Sequence, residues 1–132
     1  DVPFAAGLVV ADLSFIPLGL VIPALSAVAA EVADLVLMVK PQFEVGRAAV
    51  GDGVVRDPAL RTSAVRGVAD AATGAGLQVA GVAASPLPGP SGNVEYFLWL
   101  RKVPTGMMEG SAGLVGDALD DAIARAVTEG PQ

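Results

Sequence analysis

The chain has 132 residues, with 53% hydrophobic and 17% charged side chains, a length and composition that describe one globular domain with a packed core and exclude a disordered chain. Eight basic residues against fourteen acidic ones leave a formal charge of -6, which excludes a uniformly basic nucleic-acid binder but leaves local patches open. There is no Cys and no His, so disulfides, thiolate nucleophiles, Cys/His zinc sites and every imidazole-based triad are ruled out. Any acid or base has to be Asp, Glu, Lys or Tyr.

The first element is Gly7 to Asp12, a short apolar run rich in Val that ends in a carboxylate, the pattern of a parallel strand buried on both faces. The uncharged stretch from Leu13 to Ala30 is interrupted by Pro17, Gly19 and Pro23 and lacks basic flanks, so it reads as buried and not membrane-spanning. Asp34 to Lys40 repeats the strand design and ends in a cation. Parallel neighbours need a crossover of about a dozen residues, which places a helix within Pro17 to Ala30. The Gly-rich segment after Lys40 has no period and reads as a long loop, with Arg47 to Val55 its most mobile part.

Asp57 followed by Pro58 opens a helix, because Asp caps free backbone N–H groups and proline suits the first turn. Leu60, Ala64, Val65, Val68, Ala71 and Ala72 give it one apolar face, and Gly74 and Gly76 stop it. Leu77 to Ala84 is a third strand, Pro86 to Gly92 a rigid turn, and Val94 to Arg101 a fourth strand paired antiparallel to the third. An amphipathic helix carrying Leu114, Leu119, Ile123 and Val127 closes the chain. Strands alternating with helices make an α/β protein whose sheet is mostly parallel with one antiparallel edge or near-edge strand.

In such sheets ligands sit beyond the carboxyl ends of the strands. Asp12 and Lys40 occupy those ends on consecutive strands, and an antiparallel Val94 strand brings Glu95 to the same edge, with the Lys40 ammonium between two carboxylates. Each alone is an ordinary solvated strand end; three together form a site. The Gly-containing segments at 51–53 and 74–76 lack the spacing of a dinucleotide loop, and no lysine follows a phosphate-binding glycine loop. Tyr96 and Trp99 are assigned to the core. Between positions 40 and 66 five cations, Lys40, Arg47, Arg56, Arg61 and Arg66, face three acids, a weakly basic stretch able to meet phosphates.

Four segments, LVVADLSFIPL at 8–18, LVLMVKPQFEVGR at 35–47, DGVVRDP at 52–58 and SPLPGPSGNVEYFLWLR at 85–101, closely resemble the TlyA family. These are bacterial proteins named as haemolysins that act as ribosomal RNA 2′-O-methyltransferases on an FtsJ-like, Rossmann-like fold with helices on both faces of the sheet. The resemblance implies S-adenosylmethionine as cofactor, a cytoplasmic location and ribosomal RNA or ribosomal subunits as partner. It maps three members of a Lys-Asp-Lys-Glu catalytic tetrad onto Asp12, Lys40 and Glu95, with Lys40 as base, and leaves the first Lys without a counterpart. Cofactor contacts fall on Asp12, Leu13 and Ser14, and RNA contacts on Arg47, Arg56, Arg61, Ser91 and Asn93. No metal is implied.

The chain opens on Asp1 with neither an initiator Met nor a basic leader, and the family's RNA-binding domain and first cofactor-binding strands have no match in it. Residues 1–132 are therefore expected to be the carboxyl-terminal portion of the methyltransferase domain, inactive in isolation, and self-associating through the exposed strand 7–12. A non-catalytic ribosome-binding module and a cytolysin are the alternatives; the acidic closing helix lacks the basic polar face of membrane-surface helices.

Overall fold

Alternation of side chains along Ala29–Val39 decides the architecture. Ala33, Leu35, Leu37 and Val39 are buried on one face, while Asp34, Val36 and Met38 point to the other and are only partly covered. In the computed structural model, which describes residues 5–46, 51–104 and 113–131, this segment is a central strand of a mixed α/β fold.

The strands are β1 (Ala6–Ala11), β2 (Ala29–Val39), β3 (Gln78–Ala84) and β4 (Tyr96–Lys102), and the sheet order is β1-β2-β4-β3. β1 and β2 are parallel; β4 runs antiparallel to both β2 and β3. Three strands thus share one direction and one near-edge strand opposes them, as the sequence indicates. A 3-10 turn (Leu18–Leu20) and helix α1 (Ile22–Val28) form the β1–β2 crossover. After β2 comes one helical turn, α2 (Pro41–Glu44), where a structureless loop was expected; Pro41 takes the first helical position directly after Lys40.

Helix α3 (Pro58–Gly74) starts where the Asp57-Pro58 pair predicts, with the Asp57 carboxylate accepting the Ala59 N–H at 2.9 Å. Gly76, at φ +85°, turns the chain out of the helix into β3, a conformation that favours glycine. Helix α4 (Gly116–Glu129) closes the described chain.

One hydrophobic core joins the sheet to the helices: Leu35, Leu37, Val39, Tyr96, Leu98 and Leu100 from the strands meet Leu18, Ile22, Val65, Val68, Leu119 and Ile123. The described helices cover only that face, so the expectation of helices on both faces is met on one. The second face leaves Leu8 and Val10 of β1 exposed at 61% and 68%, because no described helix lies over it; separately, β1 pairs with β2 alone among the described residues. Tyr96 lies in the core as assigned. Trp99 does not: it sits on the second face, 40% exposed, with its indole N–H donating to Asp34 and the Arg101 guanidinium over its ring. Among the described residues no helix is long and apolar enough to cross a membrane.

Candidate active site

The carboxyl ends of β1 and β2 lie side by side because the strands are parallel and in register, with Ala11 opposite Leu37. The residues just beyond them, Asp12 and Lys40, meet: Lys40 Nζ is 2.5 Å from Asp12 Oδ1 and donates a 3.1 Å hydrogen bond to Ser14 Oγ. The lysine side chain is 10% exposed while that of Asp12 is 60% exposed. The ammonium is therefore held from within and the carboxylate faces outward, a geometry set by where each strand stops.

Glu95 arrives at the same edge through β4, since Val39 pairs with Tyr96 and the next residue back is Glu95. It is buried at 8% exposure, and its Oε2 has no hydrogen-bond partner among the described residues. It makes no ion pair with Lys40 within 4 Å, so the expected ammonium between two carboxylates becomes an Asp12–Lys40–Ser14 cluster with Glu95 beside it. A buried carboxylate oxygen without a partner is costly, and such groups in folded proteins call for an explanation.

The approach to the site is strained. Phe15, one residue after Ser14, has φ +66° and is 87% exposed, with its ring 4.8 Å from that of Phe43 in α2. A bulky residue at positive φ is uncommon, and such outliers gather at ligand-binding segments. Sequence reasoning overlooked Phe15 because an aromatic in an uncharged stretch looks like core. Nearby, Glu44 accepts the Leu18 N–H at 2.9 Å, and burial raises its carboxyl above the ordinary range against the opposing pull of that bond.

The residues expected to meet RNA separate into two groups. Arg47 lies outside the described residues. Arg56 and Ser91 are exposed, the former forming a surface pair with Asp52, whose carboxyl it holds below the ordinary range. Arg61 and Asn93 are corrections, because both are buried, at 4% and 2% exposure. Arg61 lies on the core side of α3, donates to the Val55 carbonyl at 3.1 Å, and opposes the upward push of burial on the Tyr96 phenol. Asn93 accepts the Val55 N–H at 2.9 Å and donates to the Gly53 carbonyl at 2.8 Å. Together they pin the end of the segment expected to be most mobile: Val55 is 2% exposed, and residues 47–50 of that segment lie outside the described residues.

Arg66 is paired with Asp120, so among the described residues the stretch 40–66 presents no unpartnered cationic surface. A cleft lined by Gln78, Trp99, Arg101 and Leu114 lies toward the other end of the sheet, remote from Lys40.

The mixed α/β sheet thus brings a Lys-Asp pair beyond adjacent parallel strands and a buried Glu at the start of an antiparallel neighbour to one edge. The chain belongs to the FtsJ-like methyltransferase family, whose model matches residues 3–102. It is 55% identical over 125 residues to the "16S/23S rRNA (cytidine-2'-O)-methyltransferase TlyA" of Mycobacterium tuberculosis, covering 94% of this chain and 44% of the relative, so the chain spans less than half of that relative's length. Two solved structures named as a putative hemolysin are similar. The one from Lactococcus lactis has a TM-score of 0.82 and 30% identity over 98% of this chain and 59% of that one. The one from Streptococcus thermophilus has a TM-score of 0.78 and 32% identity over 93% of this chain and 43% of that one.

Proposed function

We propose that this chain is the carboxyl-terminal portion of the catalytic domain of a ribosomal RNA 2′-O-methyltransferase that uses S-adenosylmethionine and works in the cytoplasm, where its RNA substrate is. The observation that carries this reading is the placement of Lys40, Asp12 and a buried, partly unpartnered Glu95 at one sheet edge. The cofactor, when bound, supplies a methyl group activated by a sulfonium. The residues present fit such a group: Asp12 is an exposed carboxylate at the end of an edge strand, followed by the exposed apolar Leu13 and the hydroxyl of Ser14, a surface suited to a cation with apolar arms.

Lys40 in its uncharged form takes the proton of the ribose 2′-hydroxyl as the oxygen acquires its methyl group. Asp12 and Ser14 fix the direction of its amine. Glu95 Oε2 accepts a hydrogen bond from the same ribose before transfer, which accounts for an oxygen that has no partner among the described residues. Phe15 offers an exposed ring on which a base can stack. Arg56 and Ser91 contact RNA, while Arg61 and Asn93 act one step back by holding the Gly53–Val55 backbone against the turn before β4. β1 is an edge strand among the described residues, which supports the expected self-association through strand 7–12.

Incorporation of labelled methyl groups into ribosomal subunits by the full-length protein tests the reading, with ribose modification located by mass spectrometry. Asp12→Ala and Glu95→Ala are expected to cripple incorporation while circular dichroism stays unchanged. Wild-type turnover in either variant removes that residue from the site. Dye release from liposomes without any methyl incorporation would favour the lytic alternative.

A further inference from the structure

The turn between β3 and β4 carries a glycine that its backbone does not require. Gly89 lies outside the left-handed region, so conformational freedom does not explain it. Space does: a Cβ placed there would stand 2.6 Å from both Cδ and Oε2 of Glu95 and 3.0 Å from its Cγ, closer than real Cβ atoms come to other atoms.

Neither partner's backbone can retreat freely. The Gly89 N–H donates to the Asn93 carbonyl at 2.7 Å and its own carbonyl accepts from Gly92 at 3.1 Å. Asn93 is in turn bonded to Gly53 and Val55, and prolines 88 and 90 flank the glycine in sequence. On the other side, the Glu95 carbonyl accepts the Ser85 N–H at 2.8 Å and the next residue, Tyr96, is fully buried. What can move is the tip of the Glu95 side chain.

We propose that Gly89 is a positioning residue: its bare Cα is the wall against which the Glu95 carboxyl rests, and it sets the direction of the unpartnered Oε2. The proposal rests on the reading of Glu95 given above. Any side chain at position 89 pushes the carboxyl out of its place without breaking the turn, so its effect falls on turnover and not on folding.

The test uses the full-length protein with Gly89→Ala, Glu95→Ala and the double variant, read by crystal structure, thermal unfolding and methyl-transfer kinetics. Gly89→Ala is expected to fold, to show the Glu95 carboxyl displaced with the 85–95 backbone unchanged, and to lose on the order of a hundredfold in kcat with little change in the KM for cofactor. The double variant is expected to be no slower than Glu95→Ala, because the wall has nothing left to position. A carboxyl that keeps its place in Gly89→Ala, or a double variant slower than Glu95→Ala by the full factor of the single change, overturns the proposal. Full turnover in Gly89→Ala beside a crippled Glu95→Ala overturns the role of Gly89 alone. Full turnover in Glu95→Ala overturns the reading of the site and the role of Gly89 with it. Should Gly89→Ala unfold, the proposal requires the double variant to regain the fold, since removing the carboxyl opens the space; a double variant that also unfolds overturns it.

Discussion

The chain has two lysines, and they stand at opposite ends of β2. Lys102 pairs across the sheet with Ala33, near the start of the strand, and its ammonium donates to the carbonyls of Ser26 and Ala29 at 2.6 and 3.2 Å. Ser26 lies in the last turn of α1 and Ala29 is the residue just beyond it, so the cation sits at the helix's carboxyl end, where the helix dipole favours it. Lys40, beyond the end of the strand, donates to a carboxylate and a hydroxyl, both on exposed residues. Backbone acceptors cannot leave when a ligand arrives, whereas side-chain partners can. One lysine is therefore part of the fold and the other is available for chemistry, although strand position and residue type are the same.

The largest expected effect comes from exchanging these roles by mutation. Lys40→Ala in the full-length protein should lower methyl transfer by about 10²–10⁴-fold, the usual contribution of a general base, with little change in melting temperature. Lys102→Ala should leave turnover per folded molecule intact and cost about 1 kcal/mol of stability from the lost helix-end contact. Methyl-transfer kinetics beside thermal unfolding decide it. A stable Lys102→Ala that is catalytically impaired, or a Lys40→Ala that is destabilised but active, breaks the contrast.

The same division separates two arginines. Arg61, buried against the Val55 carbonyl, resembles Lys102; Arg56, exposed and paired with Asp52, resembles Lys40. Arg61→Ala should destabilise by about 2–3 kcal/mol, since a buried carbonyl loses a charged donor. Arg56→Ala should leave stability nearly unchanged, because exposed pairs contribute little, and should reduce the salt slope of RNA binding by about one. Binding titrations at several salt concentrations report the slope. An unaltered slope for Arg56→Ala would take it out of the RNA contact.

This division also marks how far the sequence could be read. Strand positions and the start of α3 were legible where local chemistry is decisive: the Asp57-Pro58 cap, the Val-rich strands and the Pro-rich turn each act over a few residues. Asp12 and Lys40 were legible because strand ends of consecutive parallel strands must be neighbours. Burial of Arg61 and Asn93 was not, because a polar side chain in the sequence carries no mark of whether a backbone carbonyl, that of Val55 or of Gly53, will fold over to accept it. Arg61 sits three residues before Ala64 and four before Val65, on the apolar stripe of its helix, and that spacing was the signal available. For Gly89 the signal was absent, since the atoms that crowd it belong to a residue six positions on whose side chain returns to the turn.

The smallest expected effect extends the comparison to an anion. Glu44 bonds to a backbone N–H, that of Leu18, as Lys102 bonds to carbonyls, and its role should likewise be structural. Burial raises its folded pKa above the ordinary 4.5, with the Leu18 bond acting in the opposite sense. The fold then binds a proton more tightly than the unfolded chain does, so the associated stability is fully present below the unfolded value and is lost as pH rises through the folded one. Glu44→Gln keeps an oxygen for the Leu18 N–H and cannot ionise. Its melting temperature, measured on the full-length protein at a series of pH values, should therefore match that of the wild type at low pH and exceed it increasingly as pH rises past 4.5 toward neutrality. A gap that instead grows on acidification would mean that the carboxylate form is the one the fold favours, and that the Leu18 hydrogen bond outweighs the cost of burying the charge.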